Sequence, residues 1–444
     1  MLKKSQGLLS LSIAAALALP GLAVTTTTAS ADAFTDALTT GGKVTMDVRL
    51  RFEDVEDDRN NAGVKLKDAD ALTVRTRLGY QTGKYMDFDA FVEMENVTAI
   101  GDDDDYNTGG NGWGNGNGTY ATIADPAGTE VNRYWLGYSG IDDTVARVGR
   151  QRIKLDNDRH IGNVGWRQNE QTYDSLTITN KSLPDTKLFY AYITNVNRIF
   201  GNGNNGDFGM NSHLFNAAYD GLGFGKIVAY GYFLDYENNG ATQARELWSS
   251  QTLGLRFTGD TDVGGGFKVH YQAEYAQQED YEEGASNVAT DGADIDYDYM
   301  MFKLGVTYAG VTAMAGYEEQ EGDRTGAFTT RLATLHGQNG WADMFLSGGR
   351  GTPNCGLQDT SFSLSTKVGG VKLKAVYHDY EADGSSSCAR ANGARGSDYG
   401  DEINLVAVKK FGKHYHALVK YARFSSDDYL EDVDKLWIQT GFKF

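Results

Sequence analysis

The last ten residues, Lys435-Leu436-Trp437-Ile438-Gln439-Thr440-Gly441-Phe442-Lys443-Phe444, alternate in character. Leu436, Ile438, Thr440, Phe442 and Phe444 share one parity, and Trp437, Gln439, Gly441 and Lys443 share the other. A side-chain period of two with unlike faces and an aromatic at the chain end matches the closing strand of an outer-membrane β-barrel. The soluble alternative is the edge strand of a sandwich, which would ordinarily carry a blunting charge or proline. The stretch therefore predicts an all-β fold: a transmembrane antiparallel barrel whose last strand pairs with its first. Phe444 is the expected contact for the barrel-assembly machinery.

The start of the chain agrees. Lys3 and Lys4 precede an apolar run over residues 8–19, Pro20-Gly21 breaks it, and Ala29-Ser30-Ala31 offers small residues to a signal peptidase. This predicts a signal peptide over 1–31 and a barrel over 32–444. The apolar run is shorter than the roughly 20 residues a helical span requires. With 26 Tyr, 20 Phe and 55 Gly beside 4 Pro, and a mean hydropathy of −0.46, a membrane protein must alternate along its strands. The formal charge is −19, and removing Lys3 and Lys4 makes it −21. So acidic a chain is no nucleic-acid binder.

Working back from the end, the same alternation recurs. Met46, Val48, Leu50 and Phe52 oppose Asp47, Arg49, Arg51 and Glu53. Leu72, Val74, Leu78 and Tyr80 oppose Arg75, Arg77 and Gln81, and Phe88, Val92 and Met94 oppose Asp89, Glu93 and Glu95. Counting onward predicts roughly eighteen strands joined alternately by short turns and long loops, the short turns periplasmic and the long loops outside. Acidic runs at Asp54-Val55-Glu56-Asp57-Asp58, at residues 102–105 and at residues 279–298 fall in the expected outer loops, and no EF-hand spacing occurs. They read as solvated loops bridged by divalent ions to lipopolysaccharide. Cys355 and Cys388 lie in successive outer loops of an oxidising compartment, which predicts a disulfide. Two cysteines cannot close a thiolate zinc site, and no HExxH is present. His378, His414 and His416 have no recognisable nucleophile beside them, so the reading is not an enzyme. No metal and no cofactor are called for.

The polar parity carries the functional expectation. Arg49, Arg51, Arg75, Arg77, Arg133, Lys268, His270, Lys303, Lys372, Lys374, His378 and Lys420 point inward with Asp47, Glu53, Asp89, Glu93, Glu95 and Glu274. Arg75 and Arg77 can pair with Glu93 and Glu95 across the hairpin, as wall-holding contacts. The remaining excess of cations predicts an anion-selective lumen.

Val148 leads into Gly149-Arg150-Gln151-Arg152-Ile153-Lys154-Leu155-Asp156-Asn157-Asp158-Arg159, then Gly162 and Gly165-Trp166-Arg167-Gln168-Asn169-Glu170-Gln171-Thr172-Tyr173-Asp174. This resembles the central motif of the alginate-export family of outer-membrane barrels. Ala333-Thr334-Leu335-His336-Gly337-Gln338-Asn339-Gly340-Trp341-Ala342-Asp343-Met344-Phe345 resembles that family's long-loop motif, and Arg75-Thr76-Arg77-Leu78-Gly79 its second strand. The resemblance implies an eighteen-stranded monomeric barrel with an Arg-rich lumen that passes an anionic polysaccharide. Arg147, Arg150, Arg152, Arg159 and Arg167 join the candidate selectivity residues on this ground. The same stretch also reads as a structural barrel-to-loop transition. Parity through it is open, because Arg147 and Gln151 turn inward when Ala146 and Val148 face lipid, whereas Arg150 and Arg152 then lie on the lipid parity. The alternatives are a general diffusion porin and a plugged structural or adhesion barrel. The long loop carries Trp341, Met344 and Phe345, so it is expected to fold inward or pack on neighbouring loops rather than hang free.

Overall fold

The computed structural model describes residues 28–58, 60–61, 64–101, 105–109, 119–201, 206–237, 245–284, 294–323, 325–346, 353–383, 388–389, 395–427 and 431–444. The expected signal peptide up to residue 27 and the acidic run at 102–104 lie outside them. Eighteen strands form one sheet. They are β1 (Lys43–Asp57), β2 (Ala69–Gln81), β3 (Phe88–Ala99), β4 (Gly128–Ile141), β5 (Thr144–Gln151), β6 (Thr172–Asn180), β7 (Thr186–Asn197), β8 (Asp207–Tyr219) and β9 (Lys226–Leu234). The second half comprises β10 (Ser250–Gly264), β11 (Phe267–Asp280), β12 (Asp296–Tyr308), β13 (Val311–Gln320), β14 (Leu357–Val368), β15 (Val371–Glu381), β16 (Asp398–Phe411), β17 (Tyr415–Ser426) and β18 (Val433–Lys443).

Each strand pairs antiparallel with its sequence neighbours, and β1 pairs with β18 from Asp47↔Lys443 to Asp57↔Val433. The sheet is therefore a closed barrel with no unpaired edge, as a lipid environment demands. The ladder runs to the chain end: the Phe444 N–H donates to Met46 O at 3.0 Å and the Met46 N–H to Phe444 O at 3.1 Å. The start of β1 at Lys43 and the chain end at Phe444 sit at the short-turn rim. There a helix, α1 (Thr28–Leu38), runs across the expected cleavage junction after Ala31, and its Ala37 carbonyl accepts from Gly83 N–H at 2.8 Å.

Alternation decides which face each side chain takes. Leu78, Val92, Met94, Leu253, Leu255, Phe302, Leu304, Phe362, Leu364 and Ile438 stand half-exposed on the outer face. So continuous an apolar band is a lipid-contacting surface rather than a water-facing one. Ring pairs such as Phe267–Tyr308 at 4.2 Å and Phe88–Tyr138 at 4.7 Å lie toward the short-turn rim, where an aromatic girdle meets the headgroups.

Three local expectations change. The run Asp54-Val55-Glu56-Asp57 is not loop but the outer end of β1. Glu279, Asp280, Asp296 and Asp298 likewise extend β11 and β12, because these strands continue beyond the apolar band. The strand expected over 143–154 stops at Gln151: Gly149 adopts φ +127°, where a Cβ would lie 2.3 Å from Tyr134 O, and the chain turns inward beyond it. Cys355 is buried and disulfide-bonded, and the side chain of Cys388 lies outside the described residues.

Candidate functional site

Two long loops leave the rim and enter the barrel. Residues 152–171, between β5 and β6, meet the described residues between β13 and β14 (321–323, 325–346 and 353–356) at a parallel bridge Ile161↔Leu332. Gly162 N–H donates to Leu332 O at 2.8 Å and Thr334 N–H to Asp158 O at 2.9 Å. The approach requires glycine at 162, since a Cβ would meet Thr334 Oγ1 at 2.2 Å. Apolar burial fixes both loops. Ile153, Leu155, Ile161, Phe328 and Leu332 pack on wall residues Tyr173, Ile193, Leu214, Tyr230, Tyr299 and Met301. Ala342, Met344 and Phe345 pack on Tyr380, Tyr399, Phe424 and Trp437. The long loop thus folds inward, as its aromatic content predicted.

The loops divide the candidate cations into two populations. Arg51, Arg75, Arg77, Arg159 and Arg167 are buried, each beside a carboxylate. Arg51 reaches Asp125 at 3.4 Å, Arg75 reaches Asp47 at 2.5 Å, and Arg77 pairs with its cross-strand neighbour Glu95 and with Glu170 at 3.4 Å. Arg159 reaches Glu318 at 2.6 Å, and Arg167 reaches Glu53 at 2.9 Å, Asp343 at 3.4 Å and Asp125 at 3.6 Å. Arg133 and Arg152 keep some exposure but also pair, with Glu93 at 2.7 Å and Glu170 at 2.5 Å. Arg150 lies on the outer parity with Val148 and forks onto Asp174 at 2.8 and 3.1 Å, so it does not face the lumen. Asp125, Glu170 and Asp343 are loop acids that return to the wall, and Glu318 is a wall acid on β13 that takes a loop arginine; nothing local in the sequence marks either kind of pairing.

The second population has no acid partner among the described residues. Arg49 donates to the carbonyls of Gly165, Trp166 and Arg167, and Arg147 lies 4.3 Å over Trp135. Lys372 and Lys374 are exposed on the inward parity of β15, Lys367 stands directly opposite Lys372 on β14, and Lys303 on β12 lies along the side of Gly316. Lys187, Lys226 and Lys410 share the inward parity of β7, β9 and β16. Parity alone would have found Lys187, Lys226, Lys367 and Lys410. These cations occupy the short-turn half, below the loops.

Where the loops meet β17 and β18, His336 Nδ1–H donates to Asp343 at 2.7 Å, and its Nε2 accepts from Lys420 Nζ at 2.6 Å. Trp166 stacks on the imidazole at 4.4 Å, and Lys420 also sits over Trp166 and Trp341 at 4.2 and 3.8 Å. Lys435 and Arg167 complete the shell around Asp343. Burial holds the imidazole well below its ordinary value; Asp343 opposes this and Lys420 reinforces it. Burial raises the Asp343 carboxyl, but His336, Lys435 and Arg167 outweigh it and hold it well below the usual range.

A histidine kept neutral in the fold contributes stability that is complete above its unfolded pKa, near 6.5, and is lost as pH falls beneath it. Acidification from about pH 7.5 to about pH 5 is therefore expected to loosen this contact by up to roughly 2 kcal/mol. Channel noise recorded across that range should rise in the wild type, while a His336→Gln variant shows no step between about pH 6.5 and 5. An identical step in the variant would assign the transition to other groups.

The alginate export family matches residues 42–325, well over half the chain. Among solved structures, Pseudomonas aeruginosa OccK8 (OprE) superposes with a TM-score of 0.66 at 12% identity, covering 92% of this chain and 99% of that one. OccK9 (OpdG) of the same organism gives 0.65 at 11% identity over 92% and 100%, and OpdK with vanillate gives 0.64 at 11% over 90% and 98%. At such identities the likeness shows the fold. A comparison with curated proteins finds no match. With the eighteen-stranded barrel, the lipid-facing belt and the family match in hand, the chain belongs to the alginate export family, whose place here is the Gram-negative outer membrane.

Proposed function

We propose that the barrel is a passive channel for anions, either an alginate-like polysaccharide or smaller organic anions, and that its inward cations without acid partners set the preference. The observation that carries this reading is the division of charge: the loop-level arginines are neutralised by carboxylates, whereas Lys303, Lys367, Lys372 and Lys374 are not. Uncompensated cations on a pore wall bias permeation by the field they place in it. A fold relative crystallised with vanillate, an anion, points the same way.

Arg75 and Arg77, expected on the inner wall, are buried and paired, so reversing them tests folding before selectivity. Lys372 and Lys374 are the cleaner targets. In a planar bilayer, the Lys372→Glu, Lys374→Glu double variant should shift the reversal potential toward cations at low salt. The shift should shrink at about 1 M, where the Debye length is roughly 3 Å. A normally assembled double variant with an unmoved reversal potential would remove these lysines as selectivity groups. The plugged-barrel reading is favoured by one observation, the joining of the two inward loops at Ile161 and Leu332. Conductance decides between them.

A further inference from the structure

The lipid-facing wall is not smooth. Two adjoining grooves of about 560 and 630 Å³ open on it across β12–β17, and because both are lined by Leu364 and Ala375 they form one depression. Its origin lies in the cross-strand pairing. Ala315 stands between Leu304 and Phe362, and Ala375 between Leu364 and Leu405, so each small side chain is flanked by larger ones on both neighbouring strands. The four flanking side chains are 45 to 62% exposed, and no described part of the chain covers the depression.

The charges at its two ends differ in sign. On β16, which borders the depression, the outward parity reads Asp401, Ile403, Leu405, Ala407, Lys409 and Phe411 from the long-loop end to the short-turn end. At the long-loop end Asp401 stands directly opposite Asp379 of β15. At the other, Lys409 is exposed, and its ammonium lies over the Phe411 ring at 5.4 Å, toward the short-turn rim, with no acid partner among the described residues. A lysine on a lipid-facing strand lowers its cost by reaching the headgroup level, where phosphate is its counter-charge. From Lys409 to Ile403, the last lining residue on β16, the rise is about 20 Å along the strand and about 15 Å along the membrane normal at a tilt near 40°. That is half of a hydrocarbon core ~30 Å thick, the reach of one leaflet. We propose that the depression holds a glycerophospholipid of the periplasmic leaflet, with its acyl chains in the two grooves and its phosphate on Lys409. A lipid A phosphate of the opposite leaflet would instead meet Asp379 and Asp401, which carry its own sign. The site is independent of the channel reading, since Lys409 and the flanking side chains face away from the lumen.

The test is native mass spectrometry of the purified full-length barrel, released from detergent after titration with phosphatidylglycerol, with a diacylglycerol of the same chains, or with lipid A. The wild type should retain one phosphatidylglycerol and bind the diacylglycerol at least about fivefold more weakly. Lys409→Gln should weaken phosphatidylglycerol binding by about fivefold. Ala375→Phe, which fills the floor shared by both grooves, should abolish it, and Ala407→Phe serves if that variant fails to assemble. Heat-modifiable migration confirms the fold of each variant. Absent phosphatidylglycerol, equal binding of the diacylglycerol, tighter binding of lipid A or unchanged affinity in either kind of variant would overturn the site. A two-chain mass that disappears in Ala375→Phe would overturn it too, because the depression would then be a contact between copies of the barrel.

Discussion

Replacing Glu170 with Ala is expected to destabilise the barrel interior by about 3–5 kcal/mol, among the largest effects of any single substitution here. Glu170 is 1% exposed and is shared by Arg152 at 2.5 Å, Arg77 at 3.4 Å and Arg133 at 3.9 Å. Asn132 and Asn163 donate to it at 2.8 and 2.5 Å. Removing the carboxylate leaves Arg77 and Arg133 with Glu95 and Glu93 alone and takes from Arg152 its acid partner, while the three guanidinium groups stay close together. The loss is therefore repulsion and desolvation together, not one missing bond.

Burial would raise the Glu170 carboxyl, but Arg77, Arg152 and Arg133 outweigh it and hold it far below the usual carboxylate range. A depressed acid contributes stability that is complete above its unfolded pKa, near 4.3, and is lost as pH falls toward the folded value. The gap in heat-modification midpoint between wild type and Glu170→Ala should accordingly be full at neutral pH and narrow below about pH 4. Equal midpoints at neutral pH would show that the three arginines find other counter-charges and that Glu170 is not their anchor.

Deleting residues 333–345 is expected to raise single-channel conductance severalfold. This segment carries Ala342, Met344 and Phe345 against the β15–β18 wall and supplies His336 and Asp343 to the contact with Lys420 and Lys435. Without it the lumen loses part of one of its two joined inward loops, and residues 152–171 lose part of their support. Phe345→Ala is the milder companion. It removes a ring packed 4.6 Å from Tyr380, at a cost of about 3–5 kcal/mol, and should give noisier current without a fully enlarged pore. Wild-type conductance in an assembled deletion variant would mean that the segment does not restrict the path.

What the sequence made legible follows from the range of each signal. Parity is local, so all eighteen strands, the outward place of Leu436 and Ile438 and the inward place of Trp437 and Gln439 could be read directly. Cross-strand pairing is nearly local, and Arg77 does meet Glu95 across the hairpin, but Arg133 takes Glu93 and Arg75 turns to Asp47 on the other neighbouring strand. Loop return is not local at all. Nothing near Arg51 in sequence announces that Asp125 will seal it, or near Arg159 that Glu318 will. An inward cation is thus predictable from alternation, whereas its freedom to meet a solute depends on loops that begin a hundred residues away.

The inward loop also bears on how the cylinder resists opening. Arg167 binds Glu53 on β1 and Asp343, and Asp343 in turn binds Lys435 on β18, the strand to which β1 is joined. Arg51 on β1 likewise bonds Gln439 on β18 and the Trp166 carbonyl. The junction of first and last strands is therefore stitched twice, once by its backbone ladder and again by side chains lying across it from within. A sideways parting at that junction would have to strip buried charges of their partners as well as break the ladder. Any route by which a lipid or an incoming chain enters the wall should accordingly avoid this seam and lie elsewhere on the circumference.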